Sequence, residues 1–425
     1  MAGPRRATLS RRVRSLGGRL LRRAGILPGG MPDGLGQDAE LVGRSLPHTV
    51  MVYFADTVGA LYQIEQWYEP FRALSRKHPL VVVTRDSRTA RRVRRDSGLD
   101  TIVVSHYTTM DDLIARSQLK VALYVNHNPE NFSNLRFNTL VHASMMHGDS
   151  DKGVSVSNQT KAYDFSFVAG QAAVERMAAF STFYDAQTRC IPVGRPQVDG
   201  QAQQRAVASD STRLTRGGRP TVLYAPTWEG PQPSAAYGSI ATHGRALLEG
   251  FVRDGWNVIF RPHPLTGVRD PAYGGADRDL RRFVERAAGV GFPDATYRVD
   301  VSDDIAGAFA EADLLVSDVS GVAMDWLPCG RPLMMTKPAA PEVGVAVSPL
   351  TALVPQIDDR HAGEAARAAR AAVENDELRD DRARLVEHYL GDLRPGASLH
   401  RFIAAVDQLI EVRDREVARL EGLRT

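Results

Sequence analysis

Short runs of β-branched and aromatic residues alternate with helical patterns from His48 onward. In the first half of the chain, the runs that predict strands are 49–54, 80–84, 101–105, 121–125 and 165–168. The segments between them with helical periodicity are 62–77, 89–97, 110–117 and 171–180. Strands and helices in regular alternation predict a parallel sheet with helices on both of its faces.

The same alternation resumes after a further short run at 191–193 and a polar segment rich in Gln, Ser, Thr, Arg and Gly. Its predicted strands are 221–225, 257–261, 297–299, 314–317 and 333–336. Two α/β halves joined by a polar linker predict two Rossmann-like domains that face each other across a cleft. The boundaries are 1–28 for a basic helix, 29–45 for a linker, 46–200 for the first domain, 201–218 for a second linker, 219–360 for the second domain and 361–425 for C-terminal helices.

The segment that precedes the first linker is strongly basic. Apolar residues recur in it at spacings of three and four, and eight arginines precede the first acidic residue of the chain. This pattern predicts a basic amphipathic helix over 1–28 that lies on an anionic membrane surface, although a disordered basic tail and an organellar transit peptide remain alternatives. The rest of the chain is mildly acidic, and no nucleic-acid partner is expected.

Composition narrows the class of protein. With 425 residues, 43% hydrophobic and 24% charged, the chain can form two ordinary cores and cannot be mostly disordered. Its two cysteines, Cys190 and Cys329, lie far apart without a neighbouring Cys or His at metal-ligand spacing, which predicts free thiols and no metal site. No apolar run reaches transmembrane length, so a soluble or peripheral protein is expected.

A turn of small residues follows the predicted strand 314–317. It reads Ser317-Asp318-Val319-Ser320-Gly321, and a helical pattern begins directly after it. Backbone N–H groups and the positive end of a helix dipole at such a turn suit a phosphate, and Ser320 is positioned to cap the helix and to contact the anion. An ordinary capped helix explains the motif equally well.

Two further motifs end predicted strands of the second half. In Arg261-Pro262-His263-Pro264, the prolines stiffen the backbone around one guanidinium and one imidazole, which suits the binding and charge neutralisation of a pyrophosphate. Thr227, in Ala225-Pro226-Thr227-Trp228-Glu229, can bond a phosphate or ribose oxygen, whereas Trp228 is expected to pack. The alternative for His263 is a structural histidine in a turn, and its place at the carboxyl end of a strand favours function.

The first half carries one candidate base. His147 and Gly148 end an apolar run, and Asp149, Asp151 and Lys152 follow them closely. A histidine at the tip of a strand titrates near neutral pH and can take a proton from a hydroxyl, and Lys152 can meet a phosphate. A polar loop without function is the alternative.

Taken together and in their order along the chain, these motifs resemble those of the CDP-glycerol glycerophosphotransferases, the teichoic-acid primases and polymerases. The resemblance also includes Gly396-Ala397-Ser398 with Arg401, and the His147-Gly148 pair with Lys152. It implies a glycosyltransferase-B type fold whose second domain binds a CDP-linked donor. It also implies a peripheral protein on the cytoplasmic face of the membrane, with a lipid-linked or polymeric acceptor.

By the same resemblance, an acceptor hydroxyl attacks the phosphorus that bears glycerol, and CMP leaves. His147 is the base in this comparison, while Arg261 and His263 hold the pyrophosphate. The remaining residues of the implied phosphate cradle and of a ribose or glycerol contact are Thr227, Ser317, Asp318, Ser320, Gly321 and Asp325. No tightly bound cofactor is implied, and a divalent cation remains an option as the counter-ion of the pyrophosphate.

The sequence departs from the family where the acceptor enters. Asp149, Ser150 and Asp151 stand where the family usually has Thr-Pro-Leu, and 338–350 differs from the family's Tyr- and Pro-Gly-rich stretch. Donor chemistry is therefore supported better than acceptor identity. A nucleotide-sugar glycosyltransferase or epimerase of the same fold, and a non-catalytic membrane adaptor, remain as alternatives.

Overall fold

The computed structural model describes residues 31–145, 157–197, 199, 218–230, 236–302, 305–339, 343 and 348–423. The predicted basic helix 1–28, most of the linker 201–218 and the predicted residues His147, Gly148, Asp149 and Lys152 lie outside the described residues.

Two parallel sheets form the framework of the described chain. The first sheet contains β1 Val50–Phe54, β2 Leu80–Thr84, β3 Thr101–Val103, β4 Val121–Tyr124, β5 Val141–Ser144, β6 Phe165–Val168 and β7 Cys190–Pro192, in the order β3-β2-β1-β4-β5-β6-β7. The second contains β8 Thr221–Ala225, β9 Asn257–Phe260, β10 Tyr297–Val299, β11 Leu314–Ser317, β12 Leu333–Thr336 and β13 Gln356–Ile357, in the order β10-β9-β8-β11-β12-β13. The predicted pair of parallel α/β sheets is confirmed.

Helices follow the strands of the first sheet. They are α1 Asp38–Leu41, α2 Tyr62–Glu65, α3 Tyr68–Ser75, α4 Ser87–Ser97, α5 Tyr107–Arg116, α6 Asn131–Asn134, α7 Gln171–Phe180 and α8 Ala186–Arg189. Asp86 fixes the start of α4, because its carboxylate accepts hydrogen bonds from the backbone N–H groups of Arg88 and Thr89. Gly98, in the left-handed conformation, ends the same helix.

The second sheet has its own helices and a C-terminal series. They are α9 Gly244–Arg253, α10 Pro271–Val290, α11 Ala306–Glu311, α12 Gly321–Trp326, α13 Pro349–Leu353, α14 Ala365–Glu374, α15 Arg379–Leu390 and α16 Ala397–Gly422. Helix α10 begins where Asp270 caps the N–H of Ala272 and Pro271 supplies the first turn.

The strand residues are apolar on both faces because helices cover both sides of each sheet. All five residues of β1, β2 and β8 are buried. On one face of the first sheet Val50, Val52 and Phe54 pack with α3, and on the other Met51 and Tyr53 pack with α5. This explains why continuous apolar runs, and not alternating ones, marked the strands.

The C-terminal helix α16 crosses back to the first sheet. Phe402 and Leu409 are fully buried there in the same core as Trp67 and Phe71, and the rings of Trp67 and Phe402 lie 5.6 Å apart. Asp407 of α16 also accepts hydrogen bonds from Lys77 at 2.6 Å and His78 at 2.7 Å. The helix therefore ties the end of the chain to the first domain.

A second contact between the domains lies at Gly170, directly before α7. A Cβ atom at Gly170 would lie 2.4 Å from the backbone carbonyl group of Tyr389, at the end of α15. Tyr389 itself is buried in the core of the second sheet, together with Ala169 and Ala172 of the first domain. The absence of a side chain at Gly170 lets these two backbones meet.

Candidate active site

The three motifs of the second domain follow neighbouring strands. β9, β8 and β11 lie side by side in parallel, and they are followed by Arg261, Pro226 and Asp318. The carboxyl ends of parallel strands share one edge of the sheet, and the strand order changes direction between β8 and β11. Sequence motifs as far apart in the chain as Thr227 and Asp318, which are 91 residues apart, therefore meet at the position where α/β sheets bind ligands.

A cavity of about 520 Å³ lies at this edge, between the two domains. Its volume is in the range of small-molecule sites, which is roughly 300–1,000 Å³. The residues that line it come from both domains: Glu65, Gln66, Tyr68, Glu69, Arg72, Arg195, Gln197, Ala225, Pro226, Arg261, Pro262, His263, Pro264, Ile305, Val322 and Asp325. The structure thus brings the predicted residues Arg261, His263 and Asp325 together around one cleft.

Hydrogen bonds fix the side chain of Arg261, which directly follows the carboxyl end of β9. Its Nη1 donates to Oδ2 of Asp300 at 2.6 Å and to the hydroxyl of Ser302 at 3.1 Å, and its Nη2 donates to the carbonyl of Ser302 at 2.9 Å. Burial acts to raise the pKa of Asp300, but hydrogen bonds from Ser302 and Arg261 outweigh it and hold the pKa below its usual value. A preorganised guanidinium of this kind can stabilise charge on a phosphate without first having to be ordered.

His263 is fixed by its own turn. The backbone N–H of Leu265 donates to its Nδ1 at 3.1 Å, so Nε2 carries the proton of the neutral ring. Its ring stacks against Trp228, with ring centres 6.2 Å apart and planes 20° apart. Trp228 packs as predicted, and the packing and the hydrogen bond orient Nε2–H as a donor.

Glu229 organises the loop that follows His263, a role that the sequence reasoning missed. Its buried carboxylate accepts the backbone N–H groups of Gly267 at 3.0 Å, Arg269 at 2.8 Å and Asp270 at 3.1 Å. Burial acts to raise the pKa of Glu229, but these hydrogen bonds hold it below its usual value. The signal in the sequence that could have revealed this role is an acidic residue directly after Thr227-Trp228, close to the end of a buried strand.

Asp318 lies beneath the cleft and is fully buried. Its Oδ2 accepts the N–H groups of Thr227 at 2.7 Å and Ser239 at 3.2 Å, and its Oδ1 accepts the hydroxyl of Thr336 at 2.5 Å. Burial raises the pKa of Asp318 above its ordinary value. This carboxylate therefore joins the loops of Thr227 and Ser239 to the end of β12, and its direct contact with the CDP-linked donor stays a prediction.

The two serines of the turn also lie in the protein interior. Ser317 donates to the carbonyl of Ala225 at 2.8 Å, and its hydroxyl lies 3.0 Å from that of Ser320. Ser320 precedes α12 but makes no side-chain capping bond, which corrects the expectation that it caps this helix, since its hydroxyl faces Ser317 instead. Thr227 is buried, while Gly321 opens α12 and is half-buried, so a phosphate cradle made by this turn stays a prediction.

Asp325 faces the cleft but has a protein partner. Its Oδ1 lies 2.8 Å from Nη2 of Arg195, which comes from the segment that leaves β7. Arg195 belongs to the hinge segment Gly194-Arg195-Pro196, which leads away from β7, and the sequence analysis missed it as a cleft residue. The signal that could have revealed it is an arginine directly after a predicted strand, at the same edge as the other motifs.

The predicted base, His147, lies outside the described residues. The described part of this segment ends at Met145, which directly follows β5 and lines a second cavity of about 60 Å³ together with Arg195 and Gln197. Both of these residues also line the larger cavity. Met145, the last described residue before His147, therefore lines a cavity that shares two residues with the cleft, and the role of His147 stays a prediction.

In the described ranges, no group of three or more His, Cys, Asp or Glu could hold a metal ion, and the divalent cation stays a prediction. None of the described helices is long and apolar enough to cross a membrane.

Solved structures with the same fold include three informative ones. A histidine variant of the wall teichoic acid polymerase TagF with CDPG has 13% identity and a TM-score of 0.54, and the match covers 97% of this chain and 99% of that one. A glycosyltransferase from Rickettsia africae has 8% identity, a TM-score of 0.53 and coverages of 86% and 99%. A putative UDP-N-acetylglucosamine 2-epimerase from Listeria monocytogenes has 12% identity, a TM-score of 0.55 and coverages of 86% and 97%.

These structures share the two-domain arrangement of glycosyltransferase-B proteins and by themselves establish the fold alone. No curated protein sequence matches the chain. The family model for CDP-glycerol:poly(glycerophosphate) glycerophosphotransferases matches residues 82–340, which is more than half of the chain and includes the motifs at Arg261 and Asp318. The chain therefore belongs to the CDP-glycerol:poly(glycerophosphate) glycerophosphotransferase family.

Proposed function

We propose that this enzyme transfers glycerol phosphate, or a related alditol phosphate, from a CDP-linked donor to a hydroxyl of a membrane-associated polymer or lipid-linked acceptor. The observation that carries the proposal is the pairing of Arg261 and His263 in an interdomain cavity, within a chain of this family. A wall teichoic acid polymerase with CDPG and the same fold adds support.

The proposed reaction is a phosphoryl transfer that the positively charged and hydrogen-bonding groups of the cleft can assist. An acceptor oxygen forms a bond to the phosphorus that bears glycerol, the bond from that phosphorus to the CMP oxygen breaks, and CMP leaves with the electron pair. His147 takes the proton of the attacking hydroxyl. Arg261 and the Nε2–H of His263 stabilise the negative charge that develops on the phosphoryl and leaving oxygens.

Donor selectivity tests this function directly. We expect CMP release from CDP-glycerol or CDP-ribitol that depends on a glycerophosphate-bearing lipid acceptor, and no nucleotide release from UDP-N-acetylglucosamine. Chromatography of the nucleotide product measures both. Because a UDP-N-acetylglucosamine 2-epimerase has the same fold, UDP release or epimerisation without any CMP release would replace this proposal with nucleotide-sugar chemistry.

Membrane attachment through 1–28 is part of the proposal. The eight arginines of this segment suit anionic headgroups, and each basic residue adds about 1 kcal/mol near such a surface. We expect deletion of residues 1–29 to lower binding to phosphatidylglycerol vesicles by at least about tenfold without a change in thermal unfolding. Co-sedimentation measures the binding, and neutral phosphatidylcholine vesicles are the control. Equal sedimentation of both forms with anionic vesicles would contradict the attachment.

A further inference from the structure

The segment between β7 and the second domain is held in a fixed conformation. Gly194 has a φ of +78°, and a Cβ atom there would lie 2.2 Å from the hydroxyl of Ser398 and 2.4 Å from Nη2 of Arg401. The backbone N–H of Arg195 donates to the Ser398 hydroxyl at 3.3 Å, and Asp199 accepts the N–H of Leu399 at 2.8 Å. The start of α16 therefore supports the hinge and sets the position of Arg195.

The guanidinium of Arg195 is buried and only partly satisfied. The residue is 7% exposed, and its Nη2 forms an ion pair with Oδ1 of Asp325 at 2.8 Å without the geometry of a hydrogen bond. Within the described ranges, neither its Nε nor its Nη1 has a hydrogen-bond partner, and the same holds for Oε1 of Gln197. An unsatisfied buried donor is costly, so such donors are usually partnered by protein, water or a ligand.

A ligand in either of two neighbouring cavities would lie beside Arg195 and Gln197. Arg195 and Gln197 line both the cavity that contains Arg261 and His263 and the smaller cavity beside β5 and β6. Arg195 therefore lies where the larger cavity, with Arg261 and His263, borders the smaller cavity of the first domain. Asp325 neutralises part of its charge, and Nε and Nη1 remain without partners in the described structure.

We propose that Arg195 is a phosphate ligand of the cleft, contributed by the hinge and positioned by the start of α16. Guanidinium groups form strong, charge-assisted hydrogen bonds to phosphate oxygens, and Arg261 adds a second guanidinium on the same cavity. The inference rests on the proposed function for the source of the phosphate. That source is either the pyrophosphate of the donor or a phosphate of the acceptor.

Calorimetric titration of the full chain with inorganic pyrophosphate, CDP and glycerol 3-phosphate tests the proposal. Arg195→Gln is expected to weaken binding of at least one of these ligands by about 10- to 100-fold, since it removes charge-assisted hydrogen bonds. A loss confined to pyrophosphate and CDP assigns the contact to the donor. A loss confined to glycerol 3-phosphate assigns it to the acceptor.

Two further variants separate binding from structure. Asp325→Asn keeps the guanidinium, so pyrophosphate affinity should stay within about threefold of wild type or rise. Arg195→Gln with Asp325→Asn removes both members of the pair and leaves no unpaired buried charge, so it keeps the test valid where Arg195→Gln alone fails to fold. The matched control is Arg382→Gln, since Arg382 is equally buried and is paired with Asp376 at 2.5 Å, away from the cleft. That control should bind all three ligands normally.

Two outcomes would overturn the inference. One is wild-type affinity for all three ligands in Arg195→Gln or the double variant. The other is an equal loss of pyrophosphate binding in Arg195→Gln and Asp325→Asn, which would make the pair structural. Neither outcome depends on turnover. If the wild-type enzyme releases CMP but one of these two outcomes is observed, only this inference fails. If ligand binding depends on Arg195 but the wild-type enzyme releases no CMP, only the proposed function fails.

Discussion

Replacement of His147 by alanine is expected to lower kcat for CMP release by roughly 10²- to 10⁴-fold, which is the range for loss of a general base. Donor binding should change little, because Arg261 and His263 lie on the other domain. The measurement is acceptor-dependent CMP release from CDP-glycerol at saturating donor. His361→Ala is the control, since His361 is an exposed histidine that does not line the cleft in the described structure.

The pH profile adds a second measurement to this variant. A general base must be deprotonated, so wild-type kcat should fall as the pH drops below the pKa of that base. The alanine variant has lost the titrating group, and its remaining activity should lack this acidic limb. A kcat within about threefold of wild type, with the acidic limb retained, would exclude His147 as the base.

The framework could be predicted from the sequence because its strands are buried on both faces. The apolar runs at 80–84, 221–225 and 314–317 coincide with β2, β8 and β11, and the turns after them indicated the ligand-binding edge. The predicted helix 62–77 was too long, since the structure divides it into Tyr62–Glu65 and Tyr68–Ser75. The sequence analysis gave no bounds for helix α10. It also did not predict β13, which is two residues long and too short to give a periodic signal.

The partners of the site residues could not be predicted, because they depend on contacts between distant segments. The turn at Asp318 predicts a contact with the CDP-linked donor, but it does not show that the carboxylate also meets groups on loops about 80 to 90 residues earlier in the chain. Asp325 and Arg195 are separated by the whole linker and meet only when the two domains face each other. Local motifs therefore identified the edge of the sheet, while tertiary contacts decided which side chains face the cavity.

The largest stability effect is expected for Asp318→Ala. This change removes the acceptor for two backbone N–H groups, from Thr227 and Ser239, and for the Thr336 hydroxyl, all of them buried. Each unsatisfied buried donor costs about 1–3 kcal/mol, so we expect a loss of about 3–5 kcal/mol in the free energy of unfolding. Urea unfolding measures it. Asp313→Ala, at the other end of the same strand, removes an acceptor for the N–H of Thr221 and should cost only about 1–2 kcal/mol.

Asp318→Asn separates the hydrogen bonds from the charge. The amide keeps one acceptor oxygen and cannot titrate, so it should destabilise less than alanine. Burial raises the pKa of Asp318 in the folded state, so the folded protein holds this proton more tightly than the unfolded chain does. The stability that this proton contributes is full below the unfolded pKa, about 3.9, and is lost as the pH rises through the folded value. Wild type should therefore lose stability relative to Asp318→Asn as the pH rises over this window. A difference that is constant with pH would show that the carboxylate is ionised equally in both states, and its burial would then be fully offset by the N–H groups of Thr227 and Ser239.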